Sequence, residues 1–391
     1  MTIPFSKTEV KLAVQALKLN KSPGMDNIKS ELVKNGPDIL FESIANIFNE
    51  IAESGIVPNE LIEGILIPLQ KPGKAKGKLE KLRPVILLNV IWKILAIVMV
   101  RRIFNRLDSN IPITQAAYRP GRSTTENVFS LRILIEKAIS QSNSGIHILL
   151  LDMSKAFDSV NREILLEDLK DIVNADELHI LKILIKNTSL RIRNGTTLGE
   201  IFKTNVGVPQ GDCLSPILFT LYLAKALTNK NNENKNKTLD HNYAKENIVS
   251  EKLLGEHLQD HNYSVKSETY FSIDQQFADD VGWASTNNNK VKTIKFDIPV
   301  KLSKRGLLIN ADKTEEYFID NKLTDESWKE CKYLGSYLDT EKDIMRRKQL
   351  ATVSFNKYKD LLQSKRISLR IKMRILNAFI TSIFMYKKYG H

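Results

Sequence analysis

Apolar residues recur at helical spacing over residues 8–19 and 38–52, the second run carrying Ile39, Leu40, Ile44, Ile47, Phe48 and Ile51. Both stretches are predicted helices, and Lys21-Ser22-Pro23-Gly24 between them reads as a turn. Residues 61–69 are apolar and β-compatible, ending at Pro68, and a lysine-rich loop, KPGKAKGKLEKLRP, follows. The run Gly145-Ile146-His147-Ile148-Leu149-Leu150-Leu151 is nearly continuous in its apolar character and bounded by turn residues. That is the pattern of a central strand buried on both faces, and it ends at Asp152. A helix is predicted after Asn161, with Ile164, Leu165, Leu169 and Ile172 as its apolar positions. A hairpin is predicted around Arg191–Gly195, because Asn-Gly favours a type I′ turn. Ser215 and Pro216 read as N-cap and first position of an apolar helix, 217–227.

From Thr228 to about Tyr270 the pattern lapses. TNKNNENKNK has almost nothing to bury and reads as a polar insertion. Asp-His-Asn-Tyr at 240–243 and again at 260–263 reads as an echo within a polar loop rather than a metal site. Beyond 341 the period is helical again and the character basic, with Arg346, Arg347, Lys348, Lys365, Arg366 and Arg370 among Leu361, Leu362 and Ile371.

The chain has 391 residues, enough for two or three domains or one large multi-lobed fold. Lysine and arginine exceed aspartate and glutamate by 58 − 45 = 13, a balance that suits an acidic polymer such as nucleic acid. Two cysteines, Cys213 and Cys331, make neither a disulfide framework nor a cysteine-rich zinc site, and they fit a reducing intracellular compartment. The N-terminal stretch has no signal-peptide pattern. The longest apolar stretch, Val85 to Val100, is interrupted by Asn89 and Lys93 and falls short of the roughly 20 residues of a bilayer span. No membrane association is expected.

Candidate chemistry lies in the acids. Phe277-Ala278-Asp279-Asp280-Val281 sits between two β-compatible stretches, YFSIDQQ and VGWAS. Adjacent aspartates at a hairpin tip repel unless a cation is near. Together with Asp152 at the end of a buried strand they suit phosphoryl transfer, in which two hard cations stabilise the attacking and leaving oxygens. Magnesium takes oxygen ligands of this kind.

LLLDMSKAFDSVNR, GVPQGDCLSP, FADD, RGLLINADKTE and KYLGSYL resemble, in order, motifs A to E of reverse transcriptases. Upstream, LRPVILLN and QAAYRPGRSTTENV are similar to the finger motifs of the non-LTR (LINE-type) retrotransposon branch, and SPGMDNI resembles the segment before them. The resemblance spans residues 20–390 and implies an α+β right-hand polymerase fold. Residues 1–145 would hold an N-terminal extension and fingers, 146–325 the palm with its insertion near 228–270, and 326–391 the primer grip and thumb. It further implies RNA-directed DNA synthesis on an RNA template from a DNA primer and dNTPs, with two magnesium ions, for which manganese can substitute. The expected compartment is the nucleus or cytoplasm.

Residue by residue, Asp152, Asp279 and Asp280 match the catalytic, metal-holding carboxylates, and Lys313 the lysine that protonates pyrophosphate. Phe157 matches the bulky residue that excludes a ribose 2′-hydroxyl, and Gln210 and Gly211 the loop against the incoming nucleotide. Tyr333-Leu334-Gly335 resembles the primer-grip turn. Arg83 and Arg119 fall in finger motifs whose basic side chains face the triphosphate, with Arg122 as a rival for that role. Group II intron and retron enzymes share motifs A to D, but the finger motifs and the YLGSYL stretch favour the LINE-type branch. A domesticated copy that only binds RNA is the alternative of another class. No endonuclease segment or cysteine/histidine knuckle is visible, so a polymerase core of a longer element, or a truncated gene product, is expected.

Overall fold

The computed structural model describes residues 3–71, 78, 82–141, 145–186, 188–227, 272–320, 322 and 326–385. Most of the lysine-rich loop, the insertion with its Asp-His-Asn-Tyr echo, and the last six residues lie outside the described residues. The helices are α1 (Lys7–Ala16), α2 (Ser30–Lys34), α3 (Asp38–Ser54), α4 (Asn59–Ile62), α5 (Val90–Asp108), α6 (Thr124–Gln141) and α7 (Arg162–Lys170). They continue with α8 (Ala175–Lys186), α9 (Leu214–Leu227), α10 (Asn288–Ser303), α11 (Thr340–Gln363), α12 (Leu369–Leu376) and α13 (Ser382–Met385). The strands are β1 (Glu63–Gln70), β2 (Leu82–Leu87), β3 (Ile146–Leu151), β4 (Met153–Ser154), β5 (Ser189–Asn194) and β6 (Thr197–Lys203). After the insertion come β7 (Ser272–Phe277), β8 (Asp280–Ser285), β9 (Leu308–Ile309), β10 (Glu315–Ile319), β11 (Lys332–Tyr333) and β12 (Ser336–Tyr337).

Two compact units divide these elements. The first is built from the chain up to Arg119, from Met153 through α9, and from Phe296–Asn310. Its four-stranded sheet has the order β2-β1-β5-β6. Helix α1 starts at a capping box, in which Ser6 and Glu9 satisfy each other's backbone N–H groups. Helix α3 stops at Gly55, whose φ of +69° is the left-handed conformation glycine adopts without penalty. Helix α9 is apolar almost all round and correspondingly buried, with Phe219, Leu221 and Tyr222 fully enclosed. Ser215 is not its cap: Asp212 accepts the Ser215 N–H at 2.8 Å, and the helix begins at Leu214. The β5–β6 turn also falls later than its sequence predicts. Asn194 still pairs with Thr197, and Gly195, at φ +61°, opens the two-residue loop.

The second unit contains Pro120–Asp152, β7 and β8 on to Lys295, and the chain from Ala311 onward. Its sheet runs β10-β3-β8-β7, all neighbours antiparallel. The apolar run of β3 is central, as its composition predicts, with Ile146, Ile148 and Leu149 wholly buried. Helix α6 lays Val128, Leu131, Leu134, Ile135 and Ala138 on the face that carries Ile146, Ile148, Ile273 and Ala284. Both cysteines are free. Among the described residues no helix is long and apolar enough to cross a membrane.

Candidate active site

In the second unit β3 and β8 are paired so that Leu151 faces Val281. One step further along that register, Asp152 lies opposite Asp280. Like charges in such a pair destabilise a sheet by a few tenths of a kcal/mol or more unless a cation compensates. Here the cation is Lys313. Its Nζ is 2.6 Å from Asp152 Oδ2, reached from the short 3₁₀ turn Ala311–Lys313 that leads into β10. Lys313 remains 60% exposed, so the ammonium faces solvent and can change partners.

These groups line a cavity of about 280 Å³ together with Asp312, Glu315, Lys332, Tyr333 and Leu334. Asp279 is not part of its lining; it occupies the second position of the two-residue turn that joins β7 to β8. Ala278 takes the first position at φ +56°. A left-handed conformation costs a residue with a Cβ roughly 1–2 kcal/mol, and strain of that kind collects at functional turns. Among the described residues no three His, Cys, Asp or Glu side chains converge closely enough to hold an ion by themselves. The structure thus sets Asp152 and Asp280 on one cavity, with Asp279 on the adjoining turn. The pair still fits magnesium, which is usually bound by one or two carboxylates and completed by phosphates and water. The ammonium of Lys313 already shows a cation seated on Asp152.

The turn expected to grip a primer divides by exposure. Tyr333 is 3% exposed, and its hydroxyl donates to Gln275 O at 3.2 Å. Burial pushes its phenol well above the usual range, and Asp280 and Asp274 add to the shift. Tyr333 is thus largely a core residue, its hydroxyl committed to Gln275 O. Leu334 at φ +51° and Gly335 at φ +82° form the turn itself, where Gly335 O accepts from Arg346 at 3.0 Å.

In the first unit Phe157 sits on the 3₁₀ turn Ala156–Ser159. Its half-buried ring stacks on Phe219 at 4.4 Å and meets Tyr118 edge-on at 6.3 Å. The loop carrying Gln210 and Gly211 is wedged between that turn and β2. Val208 N–H donates to Phe157 O at 3.0 Å, Ile86 N–H donates to Gln210 O at 2.9 Å, and Gln210 Nε2 reaches Asp158 Oδ1 at 3.2 Å. A Cβ on Gly211 would lie 2.0 Å from Ile86 O, so only glycine lets the loop approach the strand.

Arg83 is exposed on β2, an edge strand of its sheet. Arg119 is engaged elsewhere. Its guanidinium holds Asp108 through two nitrogens, at 2.6 and 3.0 Å, and donates to Pro112 O and Gln115 O, with 13% of the side chain exposed. This is an internal clamp, not a free triphosphate contact. Arg122 pairs with Glu126 one helical turn away. Sequence reasoning missed Arg162, a buried arginine whose Nε donates to Gly207 O at 2.7 Å and whose Nη2 meets Thr204 Oγ1 at 2.8 Å. It anchors the base of the Gln210 loop, and its one sequence signal is a charge just inside a helix start.

A family model described as reverse transcriptase (RNA-dependent DNA polymerase) matches residues 69–338. The chain is 28% identical over 225 residues to a probable RNA-directed DNA polymerase from transposon BS of Drosophila melanogaster, covering 56% of this chain and 24% of that protein. It is 24% identical over 403 residues to the transposon TX1 uncharacterized 149 kDa protein of Xenopus laevis, covering 98% of this chain and 28% of that protein. The chain thus spans about a quarter of the length of these curated relatives. A solved apo telomerase from Candida tropicalis, truncated from its C-terminal domain, aligns with TM-score 0.46 and 15% identity over 74% of this chain and 58% of that one.

Proposed function

Since the chain belongs to the reverse transcriptase (RNA-dependent DNA polymerase) family, with its α+β right-hand fold, we propose that it is the RNA-directed DNA polymerase of a non-LTR retrotransposon. Its substrates would be an RNA template, a DNA primer and dNTPs. The observation that carries the reading is that Asp152 and Asp280 line one cavity, with Lys313 Nζ 2.6 Å from the first. Members of the family use divalent metal ions, and Asp152 and Asp280, with Asp279 on the adjoining turn, would hold two magnesium ions or manganese in their place. Such ions stabilise the attacking and leaving oxygens of an in-line displacement.

The chain's own groups account for the rest. The primer 3′-hydroxyl oxygen bonds to the α-phosphorus, its proton passing to solvent water, as the bond from the α-phosphorus to the bridging oxygen breaks, and pyrophosphate leaves on that oxygen with a proton from Lys313 Nζ. Gln210 and Gly211 present a loop whose backbone is fixed on β2, a rigid floor for the nucleotide. Phe157 limits the sugar to a deoxyribose. Arg83 supplies a finger cation. Residues 1–145 then act as extension and fingers, 146–325 as palm, and 326–391 as grip and thumb.

The test is primer extension on poly-rA/oligo-dT with Asp279→Asn and Asp280→Asn. The amides keep shape and lose charge, so synthesis should vanish while template binding persists. Extension by the Asp280 variant at more than a tenth of the wild-type rate would sink the assignment.

A further inference from the structure

Asn127 belongs to the TTENV stretch of the finger motif, on α6, yet it is 1% exposed and its amide nitrogen is spent on the acidic hairpin. Its Nδ2 donates to Gln276 O at 2.8 Å, joining residues 149 apart in sequence. Phe277 and Asp280 pair across the two-residue turn, so the residue before Phe277 points its own backbone groups away from β8. Gln276 is that residue, and β7 is the outer strand of its sheet. A carbonyl on such an edge normally turns to water or to another strand. Here it is buried and taken by Asn127. One residue earlier, Gln275 O accepts the Tyr333 hydroxyl at 3.2 Å. Two side chains from separate motifs therefore fasten successive carbonyls of the strand that ends at Ala278-Asp279-Asp280. Tyr333 also packs beneath β8, where a Cβ on Gly282 would touch its ring at 3.6 Å.

We propose that Asn127 is a positioning residue for the acidic hairpin: by holding the outer edge of β7 it fixes the height of Asp279 and Asp280 against Asp152. The inference rests on the polymerase reading for its kinetic consequence, but not for its structural one. A hairpin freed at its edge rises and falls relative to β3, so the facing pair is formed only part of the time. The loss then appears in turnover and in metal requirement rather than in template binding.

The experiment compares Asn127→Leu, which removes the donor at similar volume, with Asn127→Gln, which keeps it. In primer extension kcat of the leucine variant should fall at least tenfold and the magnesium concentration for half-maximal rate should rise several-fold. Affinity for template–primer should stay within twofold, and the glutamine variant should recover at least half of the lost rate. Hydrogen–deuterium exchange, which needs no activity, should show faster exchange at 276–282 in Asn127→Leu with α6 unchanged. Unaltered hairpin exchange overturns the proposal, as does an equal kinetic loss in both variants. If the leucine variant fails to fold, Asn127→Ala takes its place, with faster exchange at 276–282 expected and wild-type exchange overturning the idea. A wild-type chain that does not extend primers defeats the polymerase reading alone, because the exchange data still decide the role of Asn127.

Discussion

Replacing Phe157 by alanine separates two roles that one ring can hold. The ring is half-buried, stacked on Phe219 at 4.4 Å with Tyr118 at its edge. Full removal of a buried phenylalanine costs about 3–5 kcal/mol; with part of the ring exposed, about 2–3 kcal/mol of that remains. The lost stack adds roughly 0.5 kcal/mol or more. A total near 2.5–3.5 kcal/mol corresponds to a fall in Tm of about 5–14 °C for a unit of this size. The exposed part of the ring is what a ribose 2′-hydroxyl would meet. Forcing an extra group against a packed side chain costs about 1–3 kcal/mol, so losing the ring should narrow the dNTP/rNTP ratio of kcat/KM by about 5- to 150-fold. The assay measures that ratio on one RNA template, with melting followed in parallel. Slower dNTP use with a collapsed ratio supports both roles. An unchanged ratio with a lowered Tm would refute the sugar-gating argument and leave Phe157 as packing against α9.

Other outcomes follow from the same contacts. Arg119→Ala should cost about 2–3 kcal/mol by leaving Asp108 half-buried and unpaired, while KM for dNTP stays within twofold; a tenfold rise in KM at unchanged Tm would restore Arg119 to the triphosphate. Burial alone would raise the Asp343 carboxyl, but hydrogen bonds from Arg347, the Tyr337 N–H and Arg132 hold it below the usual range. The stability it contributes is therefore complete above the ordinary aspartate value and disappears as pH falls through the depressed one. Wild-type Tm should drop on acidification below about pH 4, and Asp343→Asn, less stable at neutral pH, should lack that portion of the decline; parallel curves would refute it. With a net charge of +13, affinity for an RNA–DNA hybrid should fall at least roughly tenfold between 50 and 200 mM salt, and a flat response in a filter-binding series would argue against phosphate contacts.

What the sequence reveals and what it hides follows from the range of the interactions concerned. β3 was legible because a strand buried on both faces must be apolar at nearly every position, and Asp152 because it breaks that run. The acidic turn was legible because two adjacent carboxylates need a reason to exist. Gly211 could be assigned to a loop by resemblance, but the reason for glycine, the carbonyl of Ile86, lies on a strand over a hundred residues earlier in the chain. Arg119 and Tyr333 show the converse. Both sit in motifs that suggest contact with substrate, and both are consumed by neighbours, Asp108 in one case and Gln275 O in the other. A charge or a hydroxyl in a motif announces only that a polar partner is wanted. Whether that partner is a phosphate or the protein's own backbone is decided by burial, which periodicity reports for apolar residues and not for polar ones. Asn127 is the limiting case. An asparagine on a helix reads as surface, and only the fold, by bringing the outer edge of β7 beside α6, turns it into the side chain that closes the edge of the acidic hairpin.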